Sequence, residues 1–108
     1  MASGFGGQHF TFVGYLPQNQ GMLAKRLRQL EKLSRSHSVT QIFIETPYRN
    51  IKTFEAMLRT LHEQTSLCVA CRLTGDDEYI ATKTIGDWKA AGAPDLHKKE
   101  TVFLLSAQ

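Results

Sequence analysis

The sequence is short of cysteine, of long apolar runs and of charge of one sign, and each shortage removes a class of protein. Two cysteines in 108 residues are too few for a disulfide scaffold, so stability has to come from packing. No uninterrupted apolar stretch approaches the roughly 18 residues that cross a bilayer. The opening MASGFGGQHF lacks the basic and apolar regions of a secretory signal, so the chain reads as soluble and cytoplasmic, with no membrane partner. Thirteen Lys and Arg against ten Asp and Glu leave a net charge of +3, which permits contact with nucleic acid without requiring it. Internal repeats, low-complexity tracts and sustained heptads are missing too. What remains, with 42% hydrophobic and 21% charged residues, is the composition of one ordinary globular domain. A chain of this length buries roughly 65% of the surface it exposes when unfolded.

Residues 1–9 hold three glycines, a serine and little periodicity, and read as a flexible lead-in to a single domain spanning 10–108. Phe10 to Tyr15 alternates aromatic and β-branched residues as a strand does, and Leu16-Pro17 ends it. After a turn over Pro17 to Gly21, Leu23, Leu27, Leu30 and Leu33 recur at helical spacing. Lys25, Arg26, Arg28, Lys32 and Arg35 fill the other faces, with Glu31 the only acid. That basic face is either solvated or a phosphate-contacting surface.

Thr40 to Glu45 is apolar on both faces and predicts an internal strand covered by helices. Thr46-Pro47 predicts a helix start, with Ile51, Phe54, Leu58 and Leu61 as its buried stripe. Leu67 to Leu73 predicts a third strand, Tyr79 to Lys83 a fourth, antiparallel to it, and Thr84 to Ala91 a short helix carrying Trp88. Thr101 to Ser106 predicts a buried strand near the sheet centre. The fold class is α/β: a mixed, mostly parallel five-stranded sheet flanked by helices.

Cys68 and Cys71 form a C-x-x-C, but in a strand residues three apart face opposite ways, so the pair can neither bridge nor share a metal easily. The histidines are scattered, and no metal site is expected. Gly4, Gly6 and Gly7 lack the preceding strand that a phosphate loop needs. Asp76-Asp77-Glu78 reads as a solvated turn. Glu45-Thr46-Pro47-Tyr48-Arg49 differs, because it sets an acid, a phenol and a guanidinium at a strand C-terminus, the edge where open α/β sheets bind ligands. The alternative is an ion pair between Glu45 and Arg49 across the helix start. Gly14-Tyr15-Leu16-Pro17 and Arg72-Leu73-Thr74 end two further strands, so three strand ends converge on one edge.

These segments resemble the C-terminal domain of the S-adenosylmethionine-dependent tetrapyrrole methylase superfamily, most closely the branch that methylates the ribose 2′-hydroxyl of a cytidine in small-subunit ribosomal RNA. The matching pieces are Ala2-Ser3-Gly4-Phe5, Phe10-x-Phe12-x-Gly14-Tyr15-Leu16-Pro17, Ile42-Phe43-Ile44-Glu45-Thr46-Pro47-Tyr48-Arg49 and the strand ending in Arg72-Leu73-Thr74. That branch usually has Tyr-Glu-Ser-Pro-His-Arg in place of Ile44 to Arg49, and an acid in place of Leu73.

The resemblance implies one half of a two-domain methyltransferase whose N-terminal domain, with its glycine-rich loops, is missing, so that this half alone is inactive. It implies S-adenosylmethionine in a cleft between the halves, faced by Ile44, Glu45, Leu73 and Thr74 mainly through backbone. Tyr15, Pro17, Tyr48 and Arg49 lie on the substrate side, and Lys25, Arg26 and Arg28 meet ribosomal RNA phosphates. Glu45 is a weak candidate for the base that helps the ribose hydroxyl attack, and the catalytic residues are otherwise unknown. Homodimerisation is expected. The alternatives are a precorrin or uroporphyrinogen methylase domain, and a non-catalytic binding or dimerisation module.

Overall fold

Strand β1 (Phe10–Tyr15) leads the chain in a computed structural model that describes residues 10–72, 79–94, 96 and 100–107. Helix α1 (Gln20–His37) begins where the Asn19 side-chain oxygen accepts the Met22 N–H at 3.1 Å, the bond that satisfies an otherwise orphaned first-turn amide. There follow β2 (Thr40–Glu45), α2 (Asn50–Thr60), β3 (Ser66–Arg72), β4 (Tyr79–Thr84), α3 (Ile85–Ala91) and β5 (Glu100–Ser106). The proposed lead-in over 1–9, its glycines and the Asp76-Asp77-Glu78 turn lie outside the described residues. No described helix is long and apolar enough to cross a membrane.

The strand order is β1-β2-β5-β3-β4. The sheet is mixed, as expected, but only the β1–β2 pair is parallel; β2–β5, β5–β3 and β3–β4 are antiparallel. The departure from a mostly parallel sheet comes from β5, which inserts between β2 and β3. Its Val102-Phe103-Leu104-Leu105 run is apolar on both faces, and the central position removes Phe103, Leu104 and Leu105 from water together. β1, β2 and β3 still share one direction, so their C-terminal ends meet the same edge, with β5 separating the latter two.

All three helices pack on one face of this sheet. Leu23, Leu27 and Leu30 of α1, Phe54 and Met57 of α2, and Ile85 and Trp88 of α3 form one cluster with Phe43, Leu67, Val69, Phe103 and Leu105. The Trp88 indole meets Phe54 edge-on at 5.4 Å and donates its N–H to the Leu67 carbonyl at 2.9 Å, so the one tryptophan is both packed and satisfied. The pleat turns Phe12, Ile42, Ile44, Val102 and Ile80 to the second face, where Phe12 is 67% exposed and Ile42, Ile44 and Val102 are half-buried. The expectation that helices cover β2 therefore holds for Phe43 and fails for Ile42 and Ile44.

Two helical stripes differ from the pattern in the sequence. Leu33 is 44% exposed, and the inward places near the end of α1 go to Glu31 and Ser34. Glu31 accepts the His62 N–H at 2.8 Å and the Thr65 hydroxyl at 2.5 Å, while the Ser34 hydroxyl oxygen accepts the Ala107 N–H at 2.9 Å. Polar docking of neighbouring chain thus displaces a leucine. α2 starts at Asn50 rather than after Thr46, because the Thr46 carbonyl accepts both the Arg49 and Asn50 N–H groups at 3.1 Å and closes a turn first. The shift leaves Ile51 exposed and Leu58 half-buried, and makes Phe54, Ala56, Met57 and Leu61 the buried set.

Cys68 and Cys71 are buried and form no disulfide, facing opposite sides of β3 as their spacing requires. Burial raises the Cys68 thiol pKa, partly offset by a hydrogen bond with Thr82.

Candidate functional site

A groove of about 260 Å³ opens where the ends of β1 and β2 meet the start of β5. Its lining is Tyr15, Ile44, Glu45, Thr46, Pro47, Glu100, Thr101 and Val102. Parallel pairing sets Tyr15 opposite Ile44, and antiparallel pairing sets Ile44 opposite Val102 and Glu45 opposite Thr101. Strand alternation then aims Ile44 and Val102 at the open sheet face, giving the groove an apolar floor continuous with that face, while Glu45 and Thr101 turn toward the helices. Gly14, at φ 86°, stands beside a register shift in β1 that re-aims the strand just before Tyr15.

Glu45 is buried at 3% exposure and fully engaged. One carboxylate oxygen accepts the Thr46 N–H at 2.9 Å and faces the Arg49 guanidinium at 4.0 Å; the other accepts the Thr53 hydroxyl at 2.7 Å. Arg49 also donates to the Pro17 carbonyl at 3.5 Å, so a single side chain ties the loop after β1 to the turn after β2. The ion-pair reading of this segment is realised, with the acid and guanidinium 4.0 Å apart, and the segment stands at the C-terminal end of β2, the edge where the sequence reading placed a ligand. Asn50 extends the brace, donating to the Leu96 carbonyl at 2.6 Å and the Thr101 hydroxyl at 3.2 Å, which holds the approach to β5 against α2.

Of the residues singled out in the sequence, Tyr15, Ile44 and Glu45 line the groove. Pro17 and Arg49 stand behind it through the bond just described. Tyr48 projects into solvent at 87% exposure and does not line it. Lys25 and Arg28 are exposed on α1, and Arg26 is half-buried there; none reaches the groove. Leu73 and Thr74 lie outside the described residues. On the β3 side of the same edge, Tyr79 pairs with Cys71, and burial raises its phenol pKa, with the Cys71 sulfur adding in the same direction. Among the described residues no group of three His, Cys, Asp or Glu side chains is placed to hold a metal.

Sequence reasoning missed Glu100, Thr101 and Val102, which form a third of the groove's wall. The only signal available was the apolar run of β5. It marked a central strand, and a central antiparallel strand necessarily brings its N-terminus to the edge where parallel neighbours end.

No protein-family model matches this sequence, and no curated protein does. Among solved structures, the methyltransferase CobJ superposes with a TM-score of 0.57 at 16% identity, over 94% of this chain and 42% of CobJ. The chain thus spans less than half the length of the structure it matches. At that identity the likeness is one of fold: the sheet that carries the groove, and the helices that back it, are arranged as in part of the methyltransferase CobJ.

Proposed function

We propose that this chain is one half of an S-adenosylmethionine-dependent methyltransferase of the tetrapyrrole methylase kind, acting on a ribose 2′-hydroxyl of small-subunit ribosomal RNA. The observation that carries the reading is the groove itself. It lies at the shared C-terminal edge of parallel strands, in a fold shared with part of a known methyltransferase, on the segments whose sequence resembles that superfamily. The Ile44 and Val102 floor and the Tyr15 ring suit the flat face of an adenosine. A volume of about 260 Å³ is below the roughly 300 Å³ at which small-molecule sites begin. A single wall of a cofactor cleft has that size, and the exposed apolar sheet face beside it is the kind of surface a companion half covers.

Bound there, S-adenosylmethionine supplies an already activated methyl group, so what the protein adds is in-line placement of donor and acceptor. Glu45 and Arg49 act in this reading as positioning residues: they hold the two loops that shape the groove. The Glu100 carboxylate and the Tyr15 phenol are the polar groups of the lining exposed to a ligand. The E-x-P-x-R segment from Glu45 to Arg49 and the cationic face of α1 favour ribosomal RNA as acceptor over a tetrapyrrole carbon.

The test is methyl transfer from tritiated S-adenosylmethionine by the protein joined to the coding sequence upstream of residue 1, with small-subunit ribosomal RNA and uroporphyrinogen as rival acceptors. Label on a ribose oxygen supports the proposal, and label on the tetrapyrrole replaces the acceptor. Label on neither, or an upstream sequence that encodes no companion half, removes the enzymatic reading.

A further inference from the structure

At the opposite end of the same strands lies a second cleft, of about 300 Å³, between the start of the β1–β2 pair and the C-terminal half of α1. It exists because α1 packs over β5 and β2 rather than over β1, the outermost strand, so the helix-side face of β1 is left open at the exposed Thr11. Thr11 and Val13 form the floor and Leu30 and Leu33 the wall, with Arg26 and His37 on the same side of the helix as the two leucines. Gln41, paired with Thr11, closes the inner end; it is 2% exposed, and its Nε2 donates to the Leu30 carbonyl at a long 3.5 Å. Its Oε1 is buried and has no partner among the described residues. A buried acceptor without a donor is uncommon and costs free energy, so such an atom lining a cleft calls for a ligand group that donates.

The cleft's open side is the outer edge of the sheet, where β1 pairs with β2 on one flank and with no described residue on the other. Sheet edges are usually blunted by lysine or proline. β1 has neither, and its register shift falls after Phe12, so Phe10 to Phe12 stays regular. On the face away from the helices Phe10 and Phe12 are 40% and 67% exposed, a surface for cross-strand packing. An extended segment added here sets alternate residues over the cleft and the others beside these two rings. Two strand spacings, roughly 10 Å, separate such a segment from β2, so only a long side chain leaning over the short Thr11 meets Gln41 Oε1. The apolar wall favours a ring and Arg26 disfavours a cationic donor, which leaves the phenol of a tyrosine. Arg26 donates to Gln29 Oε1 at 3.5 Å and faces no carboxylate among the described residues, because Glu31, the only acid of α1, is turned away into its bonds with the His62 N–H and the Thr65 hydroxyl. A ligand carboxylate therefore complements it. A second copy pairing edge to edge offers none: β1 is uncharged, and the copy brings its own Arg26.

We infer that this edge binds an extended acidic segment of a partner protein as a further strand beside β1, with a tyrosine ring against Val13, Leu30 and Leu33, its hydroxyl donating to Gln41 Oε1, and a flanking carboxylate on Arg26. Main-chain bonds to β1 supply affinity, and the tyrosine and the acid supply selectivity. The inference stands apart from the methyl-transfer reading, since the cleft and the groove lie at opposite ends of the strands.

Fluorescence anisotropy on the intact protein with a fluorescein-labelled Glu-Val-Tyr-Val-Glu peptide tests it, because strand alternation sets the tyrosine and both carboxylates on one face and the valines on the other. The wild type should bind this peptide about tenfold more tightly than its phenylalanine version, the worth of one hydrogen bond to a buried acceptor, and Gln41→Leu should equalise the two. Peptides N-methylated on one or the other alternate set of main-chain nitrogens should differ sharply. The set that faces β1 loses binding when methylated and the set that faces solvent keeps it, a readout that leaves the protein unaltered even if Gln41→Leu does not fold. Arg26→Gln should weaken binding about threefold and remove any preference for glutamate over glutamine in the peptide. Equal binding of the tyrosine and phenylalanine peptides by the wild type overturns the inference, as does equal binding of the two N-methylated peptides. No binding at millimolar peptide overturns it as well, and a dimer in sedimentation equilibrium under those conditions gives the edge to a second copy instead.

Discussion

Glu45→Ala asks whether this carboxylate builds the groove or works inside it. The side chain accepts the Thr46 N–H and the Thr53 hydroxyl and faces Arg49. Truncation removes the acceptor from two donors and leaves the guanidinium without its carboxylate. Half-buried Thr46 and Arg49 can recover water, but Thr53 is 1% exposed and cannot. Losing a hydrogen bond to a charged group costs about 1.5–3 kcal/mol, and stranding a buried donor costs roughly 1–3 kcal/mol. The two costs overlap at Thr53, so a net loss of about 3 kcal/mol is expected, a fall in Tm of roughly 12–24 °C for a domain of this size.

Glu45→Gln keeps the shape and one carbonyl acceptor and should cost only about 1 kcal/mol. The assay is thermal and urea unfolding followed through the emission of the buried Trp88. An alanine variant within about 0.5 kcal/mol of wild type, the range of ordinary surface substitutions, would refute the claim that this network holds the two loops. Activity separates the roles further. In the function proposed above, assayed on the protein joined to its companion half, a positioning residue loses methyl transfer in step with stability, so Glu45→Gln should retain most of it. A drop of roughly 100-fold or more at unchanged stability would identify a general base instead.

Three other outcomes are expected. Trp88→Phe deletes the bond to the Leu67 carbonyl and the edge-on contact with Phe54, and should lower stability by about 2 kcal/mol, read by circular dichroism. Gly14→Ala meets open space but must hold a φ of 86°, so its cost is conformational and should exceed about 1 kcal/mol; Gly14→Asn should recover part of it. Stability should also decline in alkali. The Cys68 thiol has its pKa raised in the folded state, so above pH 9.0 the unfolded chain ionises first and the native state loses ground. Cys68→Ala should flatten that slope, and the steeper part above pH 10.0 should follow Tyr79, whose phenol pKa is raised as well.

Local pattern carried far in this chain. The aromatic and β-branched alternation of Phe10 to Tyr15, the short helix carrying Trp88 and the opposed faces of Cys68 and Cys71 depend on neighbours a few residues away, and each is found where the spacing puts it. That Tyr15, Ile44 and Glu45 line one groove was legible for the same reason: they end strands that run the same way. Leu33 and Ile51 were misread because periodicity says which residues share a face but not what docks on that face. Glu31 and Ser34 took the inward positions through bonds to Thr65 and Ala107, partners 34 and 73 residues away in sequence.

The elements, their approximate ends and the convergence of three strand termini on one edge belong to the amino-acid order alone, since turn chemistry and apolar spacing act over a few residues. Strand order does not. That β5 separates β2 from β3 was decided by competition among all the strands for the one position buried most on both faces, and the most apolar run won it. The same decision delivered Glu100, Thr101 and Val102 to the groove, and the brace of Glu45, Arg49 and Thr53 formed only once strand, turn and helix had been packed together.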